Sequence, residues 1–419
     1  MSDSVEVAIT SDSSDQLWSS CVWDVRTGTH LISYKGGGVS GAHTLATING
    51  QYIVAGNLVK PMLHIWPVNR HEPIATRFII PGRATAVAVS PDGNYCLVAV
   101  QETVYVYQLV TGAMLASISR HYQSVNVLRF TDDGSHFISA GQDGMVLVWN
   151  LANVVRVYQK QTVNTLYSFS DHAIPVTDVH VGKGGMKAIF CSVSLDRTCK
   201  IYDLTSGSML LNLVFQEALS SVSMDNLESS VFVGSSDGPI YTFNILCPPR
   251  TKEYHIERKQ LQKNIFVGHK KAVTCLSVSI DGEILLSGGA DENVHIWHIK
   301  SRQQLRTIPH KGTVTNAYFM LVPKIMFNQE IKLNPLFQPF QKMALPSEKI
   351  ETYSIETEVR ENVRDVQRYN DDSMDRFTTL SHSGNNQEEL VKLRKEIQHL
   401  KMANKEMYEF TVKNLIKNS

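Results

Sequence analysis

The sequence predicts an all-β, seven-bladed propeller followed by a C-terminal α-helical coiled coil, and three observations carry that prediction. Short apolar strands ending in an aromatic residue recur through residue 297, hairpin-turn signals recur between them, and from Asn386 the composition turns to strong helix formers without Gly or Pro.

The repeated strands read CVWDV, LHIWPV, VYVYQL, VLVWNL, CKIYDL, IYTFNI and VHIWHI. Their anchors, Trp23, Trp66, Tyr107, Trp149, Tyr202, Phe243 and Trp297, are spaced by 43, 41, 42, 53, 41 and 54 residues. A four-stranded propeller blade occupies roughly 40–45 residues, so seven units follow, two of them with insertions. Each unit runs from an apolar strand through a turn such as SPDG, TDDG or SIDG to a second strand, an Asp-bearing turn and the aromatic strand. Gly accepts the positive φ that such tight turns need. Four antiparallel strands per blade are implied.

The first unit has only VEVAIT, LWSSCVWDV and HLISY, one strand short, whereas TVTNAYFML follows the seventh unit where an eighth would begin. Residues 313–321 are therefore expected to form the innermost strand of blade one, joining the two ends of the propeller and removing an exposed edge. The propeller is assigned to residues 1–322.

Composition narrows the function classes. An apolar fraction of 43% with 15 Phe, 15 Tyr and 5 Trp supports a large core. Forty basic residues against forty acidic ones leave no footprint for phosphate-driven nucleic-acid binding, and direct DNA binding is not expected. The cysteines Cys21, Cys96, Cys191, Cys199, Cys247 and Cys275 form no CxxC pair and have no His at zinc spacing, so they read as buried free thiols with no metal or cofactor. No signal-like N-terminal segment or membrane-length apolar run is evident, which predicts a cytosolic or nuclear compartment without membrane attachment.

The two long spacings place surface loops near residues 152–170 and 247–265. The second, CPPRTKEYHIERKQLQKN, reads as a solvated basic loop, with contact to RNA or an acidic partner as the alternative. Residues 323–385 read as a partly disordered linker in which Phe327, Leu333, Leu336, Phe337 and Phe340 either dock on the propeller or a partner, or belong to a loose tether. Residues 386–419 carry a heptad seam with Leu390, Ile397 and Asn404 at a and Leu393, Leu400 and Met407 at d. An Asn at an a position favours two parallel strands, so a homodimer through this helix is expected; packing on the propeller or on another subunit is the alternative.

No convergent acid, base, nucleophile or metal set is present, and a non-enzymatic protein is predicted. Gly234–Gly238 matches G-x-S-x-G with Ser236 as the formal nucleophile, but a strand, PIYTFNI, follows where that motif requires a helix. Gly36, Gly37 and Gly38 lack the helix and Lys of a phosphate loop.

Three units carry a finer pattern: His121, Ser139, Asp143 and Trp149; His172, Ser192, Asp196 and Tyr202; His269, Ser287, Asp291 and Trp297. Each Ser stands four residues before the Asp, and each aromatic six after it. On paper these sets look like catalytic triads. Three near-copies at blade spacing read instead as hydrogen-bonded networks that lock each blade. In the sixth unit Asp237 and Phe243 keep the spacing, but His is missing and Val233 stands in place of Ser. The pattern resembles the buried His-Asp-Ser-Trp tetrad of the WD-repeat family.

Longer stretches carry a closer resemblance: WSSCVWDVRTGTHLISYKGG, SRHYQSVNVLRFTDDGSHFISAGQDGMVLVWNL, DHAIPVTDVHVG, GHKKAVTCLSVSIDGEILLSGGADENVHIW with KGTVTNAYF, and LRKEIQHLKMANKEMYEFT. Over residues 5–322 and 386–412 the chain is similar to the WD-repeat propeller subunits of the rixosome, a complex that matures the large ribosomal subunit. That resemblance implies a non-catalytic subunit binding a large helical-repeat scaffold protein, beside a second helical-repeat subunit. It further implies indirect association with an AAA-type remodelling ATPase and the pre-60S particle, and support for removal of the internal transcribed spacer from ribosomal RNA. The implied location is the nucleolus and nucleoplasm, with some cytoplasmic protein. Blade grammar alone equally accommodates an adaptor for chromatin, DNA replication or checkpoint signalling, or a ubiquitin-ligase substrate receptor.

Overall fold

Strands that are apolar at most positions assemble into seven sheets in the computed structural model, which describes residues 4–14, 18–156, 163–246, 248–256, 264–328 and 337–341. Six sheets have four strands and one has five. Blade one orders Val314–Pro323, Ser4–Asp12, Ser20–Asp24 and His30–Tyr34 from its inner edge outward. The inner strands of blades two to seven are Ser40–Ile48, Ala86–Val89, Val125–Phe130, Val176–Val181, Leu219–Met224 and Val273–Val278. Each packs beside the next, and the inner strand of blade seven packs beside that of blade one. The ring is closed.

The closing strand is Val314–Pro323, within two residues of the sequence expectation at either end. It pairs antiparallel with Ser4–Asp12, setting Val7 opposite Met320 and Ile9 opposite Tyr318. Val7, Ile9 and Val322 are buried there against blade two.

Seven apolar clusters fill the structure, one between each pair of neighbouring blades. The aromatic anchors Trp66, Tyr107, Trp149, Tyr202 and Trp297 are fully buried within them. Polar stitches cross the same boundaries near the channel. The second residue of an inner strand donates to the first carbonyl of the next: Asn126 to Val176 at 2.8 Å, Thr177 to Leu219 at 3.0 Å, Ser220 to Val273 at 2.6 Å and Thr274 to Val314 at 2.6 Å. Short polar side chains recur at that position because they satisfy a carbonyl that would otherwise be buried without a partner.

The structure corrects the reading of both insertions. The first begins with a helix, Leu151–Arg156, that buries Leu151 and Val154 against blades three and four. The second is not simply a solvated loop: Glu253–His255 adds a fifth, parallel strand beside Ser208–Val214 of blade five. Tyr254 and Ile256 turn toward the cluster shared by blades five and six. That outer strand ends the sheet, and covering it removes an unpaired row of amides and carbonyls.

Packing also continues past residue 322. Met326 is buried, Asn69 donates to the Asn328 carbonyl at 3.1 Å, and Phe337 and Phe340 are buried between blades two and three. Four cysteines, Cys21, Cys96, Cys191 and Cys199, are buried free thiols; Cys275 is half-buried, which corrects its expected full burial, and Cys247 lies outside the described residues. The heptad seam Leu390, Leu393, Ile397, Leu400, Asn404 and Met407 likewise lies outside them, as do Leu333 and Leu336. Among the described residues no helix is long and apolar enough to cross a membrane.

Because Ile9 is fully buried at the closure, Ile9→Ala should lower the unfolding free energy by about 2–5 kcal/mol. Urea unfolding followed by tryptophan fluorescence measures this; a loss below about 0.5 kcal/mol would show that the clasp contributes little.

Candidate binding face

In every blade the inner strand starts at the same end of the ring, and the turn between the second and third strands returns to that end. The tetrads sit there. In blade four Trp149 Nε1 donates to Ser139 Oγ at 2.9 Å, Ser139 meets His121 Nε2 at 2.8 Å, and His121 Nδ1 meets the Asp143 carboxylate at 2.9 Å. One proton arrangement satisfies the chain: indole to hydroxyl, hydroxyl to Nε2, Nδ1–H to carboxylate. Blade seven repeats it through Trp297, Ser287, His269 and Asp291 at 2.8, 2.8 and 2.9 Å. In blade five His172 meets Ser192 at 2.7 Å and Asp196 at 2.9 Å. There the hydroxyl of Tyr202 extends past the indole position and donates to Asp171 Oδ2 at 3.2 Å.

Two further networks escaped the sequence pattern. In blade one Trp23 Nε1 donates to Thr10 at 2.8 Å, while His310 Nδ1 lies 3.3 Å from Asp12. His310 comes from 298 residues along the chain from Asp12, and Thr and a displaced Asp replace the expected spacing, so no local window contains the set. In blade six Ser235 and the Tyr241 hydroxyl both donate to Glu217 Oε2, at 2.8 and 2.9 Å. A carboxylate here accepts directly what His accepts elsewhere; Asp237 and Phe243 were the visible remnants.

The tetrads also shape the surface. Each Asp accepts the backbone N–H of the residue after its His: Tyr122 at 3.1 Å, Ala173 at 3.2 Å and Lys270 at 3.1 Å. The loops are thereby held from beneath. On blades four and five they display Tyr122 at 82% exposure, with Ile174 and Leu195 at about two-fifths. Leu195 N–H donates to the Pro175 carbonyl at 3.3 Å, joining the two blade-five loops. Exposed aromatic side chains are among the usual anchors of protein recognition.

A separate polar knot crosses the channel. Asp178, on the inner strand of blade five, accepts Val222 N–H of blade six at 3.1 Å and lies 3.6 Å from Arg129 of blade four. His43 reaches it from blade two, 3.8 Å away. Blade two manages this because its inner strand is irregular between Ser40 and Leu45 and His43 adopts φ 55°. Burial holds His43 below the ordinary imidazole range, with Asp178 opposing that shift.

The titratable groups of the tetrads are held by one another's hydrogen bonds. Burial alone would raise the carboxyls of Asp143, Asp196 and Asp291, yet hydrogen bonds from His and from backbone amides hold all three below the usual range. Burial lowers His269 despite its Asp291 partner. His269, Asp291 and His295 bring ligand atoms within 4.8 Å of one another, but both ring nitrogens of His269 are committed to hydrogen bonds. Ser236 occupies a turn between two strands, its hydroxyl 3.3 Å from Asp237, so the strand-to-helix elbow is missing. Burial pushes the thiols of Cys96, Cys199 and Cys275 up to about 12, far from a nucleophile's range.

Gly289 is constrained by a tetrad, because a Cβ there would enter the His269–Asp291 hydrogen bond. Gly289→Ala should cost at least about 1–3 kcal/mol with little change in far-UV circular dichroism, read by chemical denaturation. His295 tests the pH response: burial and then His269 push its imidazole down to about 4. A folded-state pKa below the unfolded value of about 6.5 contributes stability present above pH 6.5 and lost as pH falls toward the folded value. His295→Leu should therefore flatten the fall in unfolding free energy between about pH 6.5 and 4; an unchanged slope in pH-resolved urea titrations would assign that fall to other groups.

A family model described as WD domain, G-beta repeat, matches residues 112–150 and 260–298, which contain the tetrad strands of blades four and seven. The chain is 39% identical over 348 residues to the rat (Rattus norvegicus) protein named WD repeat-containing protein 18, covering 83% of this chain and 80% of the relative. The zebrafish (Danio rerio) protein of that name is 34% identical over the whole length of both chains. A Caenorhabditis briggsae protein named Pre-rRNA-processing protein pro-1 is 26% identical over 90% of this chain and 73% of its own. With closed seven-bladed geometry, buried tetrads and similarity of this extent, the chain belongs to the WD repeat-containing protein 18 family.

Proposed function

We propose that this protein is a non-catalytic binding platform in the maturation of the large ribosomal subunit and the processing of its RNA. The observation that carries this reading is similarity along most of the chain to a protein named for pre-rRNA processing. The geometry is compatible with it: a closed ring presents rigid loops, and the polar sets at its core are committed to hydrogen bonds. The face on which Tyr122, Ile174 and Leu195 stand is the proposed seat of a helical-repeat scaffold protein, whose helices offer apolar ridges to such anchors. Residues 386–419 would pair two copies through the heptad seam, so that one assembly presents two propellers. Such a role would be carried out in the nucleus and nucleolus.

Affinity purification from nuclear extract with mass spectrometry tests the reading. The wild-type chain should recover large-subunit precursors and a helical-repeat protein, and Tyr122→Asp with Leu195→Asp should reduce that recovery at least tenfold without moving the melting temperature. Recovery of ligase or replication factors in their place would overturn it. Sedimentation of the chain with and without residues 386–419 tests pairing: monomers in both cases would remove the dimer from the proposal.

A further inference from the structure

We propose that the cleft between blades two and three is a receptor for an extended Phe-x-x-Phe segment, and that residues 337–341 are its intramolecular ligand, docked as an exchangeable tether. The sequence there is Phe-Gln-Pro-Phe-Gln. Phe337 meets Tyr52 edge-on, with ring centroids 4.9 Å apart. Phe340 lies flat on Tyr107 at 4.3 Å, with 5° between the planes, and meets Phe78 at 5.2 Å. Both phenylalanines are buried while Gln338 and Pro339 between them face solvent. Two anchors three residues apart, each in an aromatic pocket, are how a short motif is read by side chains.

The backbone argues for a ligand rather than a structural element. The segment joins no sheet, and Pro339 has no N–H to offer one. Gln341 N–H donates to the Gly112 carbonyl at 2.8 Å. Gly112 itself has φ 68°, and a Cβ there would collide with the Pro339 carbonyl, so the wall is bare where the segment crosses it. The blades supply the rest of the apolar cluster themselves, including Ile48, Leu63, Val87 and Met114.

The site has a reason to exist in these two blades. Neither carries a His-Asp tetrad, and Tyr107, at the aromatic position of blade three, has a hydroxyl without a hydrogen-bond partner among the described residues. Phe340 covers that ring in place of a polar lock.

The full-length chain carrying Phe337→Ala and Phe340→Ala vacates the cleft. A dye-labelled peptide of residues 334–343 should then bind it saturably, measured by fluorescence anisotropy, and raise its melting temperature. The wild-type chain should bind the same peptide at least tenfold more weakly, because a tethered ligand competes at roughly millimolar effective concentration. Replacing either Phe in the peptide should abolish binding. A folded double variant that ignores the peptide, or that binds a Phe-free peptide equally well, overturns the proposal. Should the double variant unfold, Gly112→Asn keeps a residue tolerant of positive φ while filling the crossing point. Hydrogen exchange at the Gln341 amide should accelerate at least tenfold there, and unchanged protection would overturn the proposal.

Discussion

The pairing of Ser4–Asp12 with Val314–Pro323 is the contact on which the rest of the ring depends. Each blade buries apolar surface only against its two neighbours, so a break anywhere leaves two faces and two strand edges open. Here the break would fall between the first and last strands of the propeller. The pairing fills the clusters on both flanks of blade one, and His310 with Asp12 adds a buried polar tie across the same seam. Contacts separated by about three hundred residues form at a large loop-closure cost. The seam is accordingly the last part of the ring expected to assemble and the first to yield.

Above that closure, the repeated networks couple interior to surface. In blades four and seven a tetrad runs from a fully buried indole to a carboxylate that grips the amide of an exposed loop. Exposed residues such as Tyr122 therefore stand on the same hydrogen bonds that hold the blade together. This gives loops low conformational freedom before any partner arrives, which reduces the ordering cost of binding.

Much of this was legible in the sequence because propeller blades are locally encoded. The strand-turn-strand grammar and the Ser-to-Asp and Asp-to-aromatic spacings lie within single repeats, and blade number, the clasp and three tetrads followed from them. What escaped was non-local or chemically substituted. The blade-one network needs His310 beside Thr10 and Asp12; blade six uses Glu217 where the pattern demands His. The fifth strand at Glu253–His255 was obscured by its charge, since its backbone pairs with a neighbour that no periodicity announces. The docking of Phe337 and Phe340 was one of several readings open to an aromatic-rich connector, and only the aromatic pockets of blades two and three decide among them.

The contact between His43 and Asp178 has a topological consequence. It joins walls that belong to blades two and five, on opposite sides of the channel. The two blades are not neighbours in the ring, so the contact ties them to each other directly as well as through the blades between them.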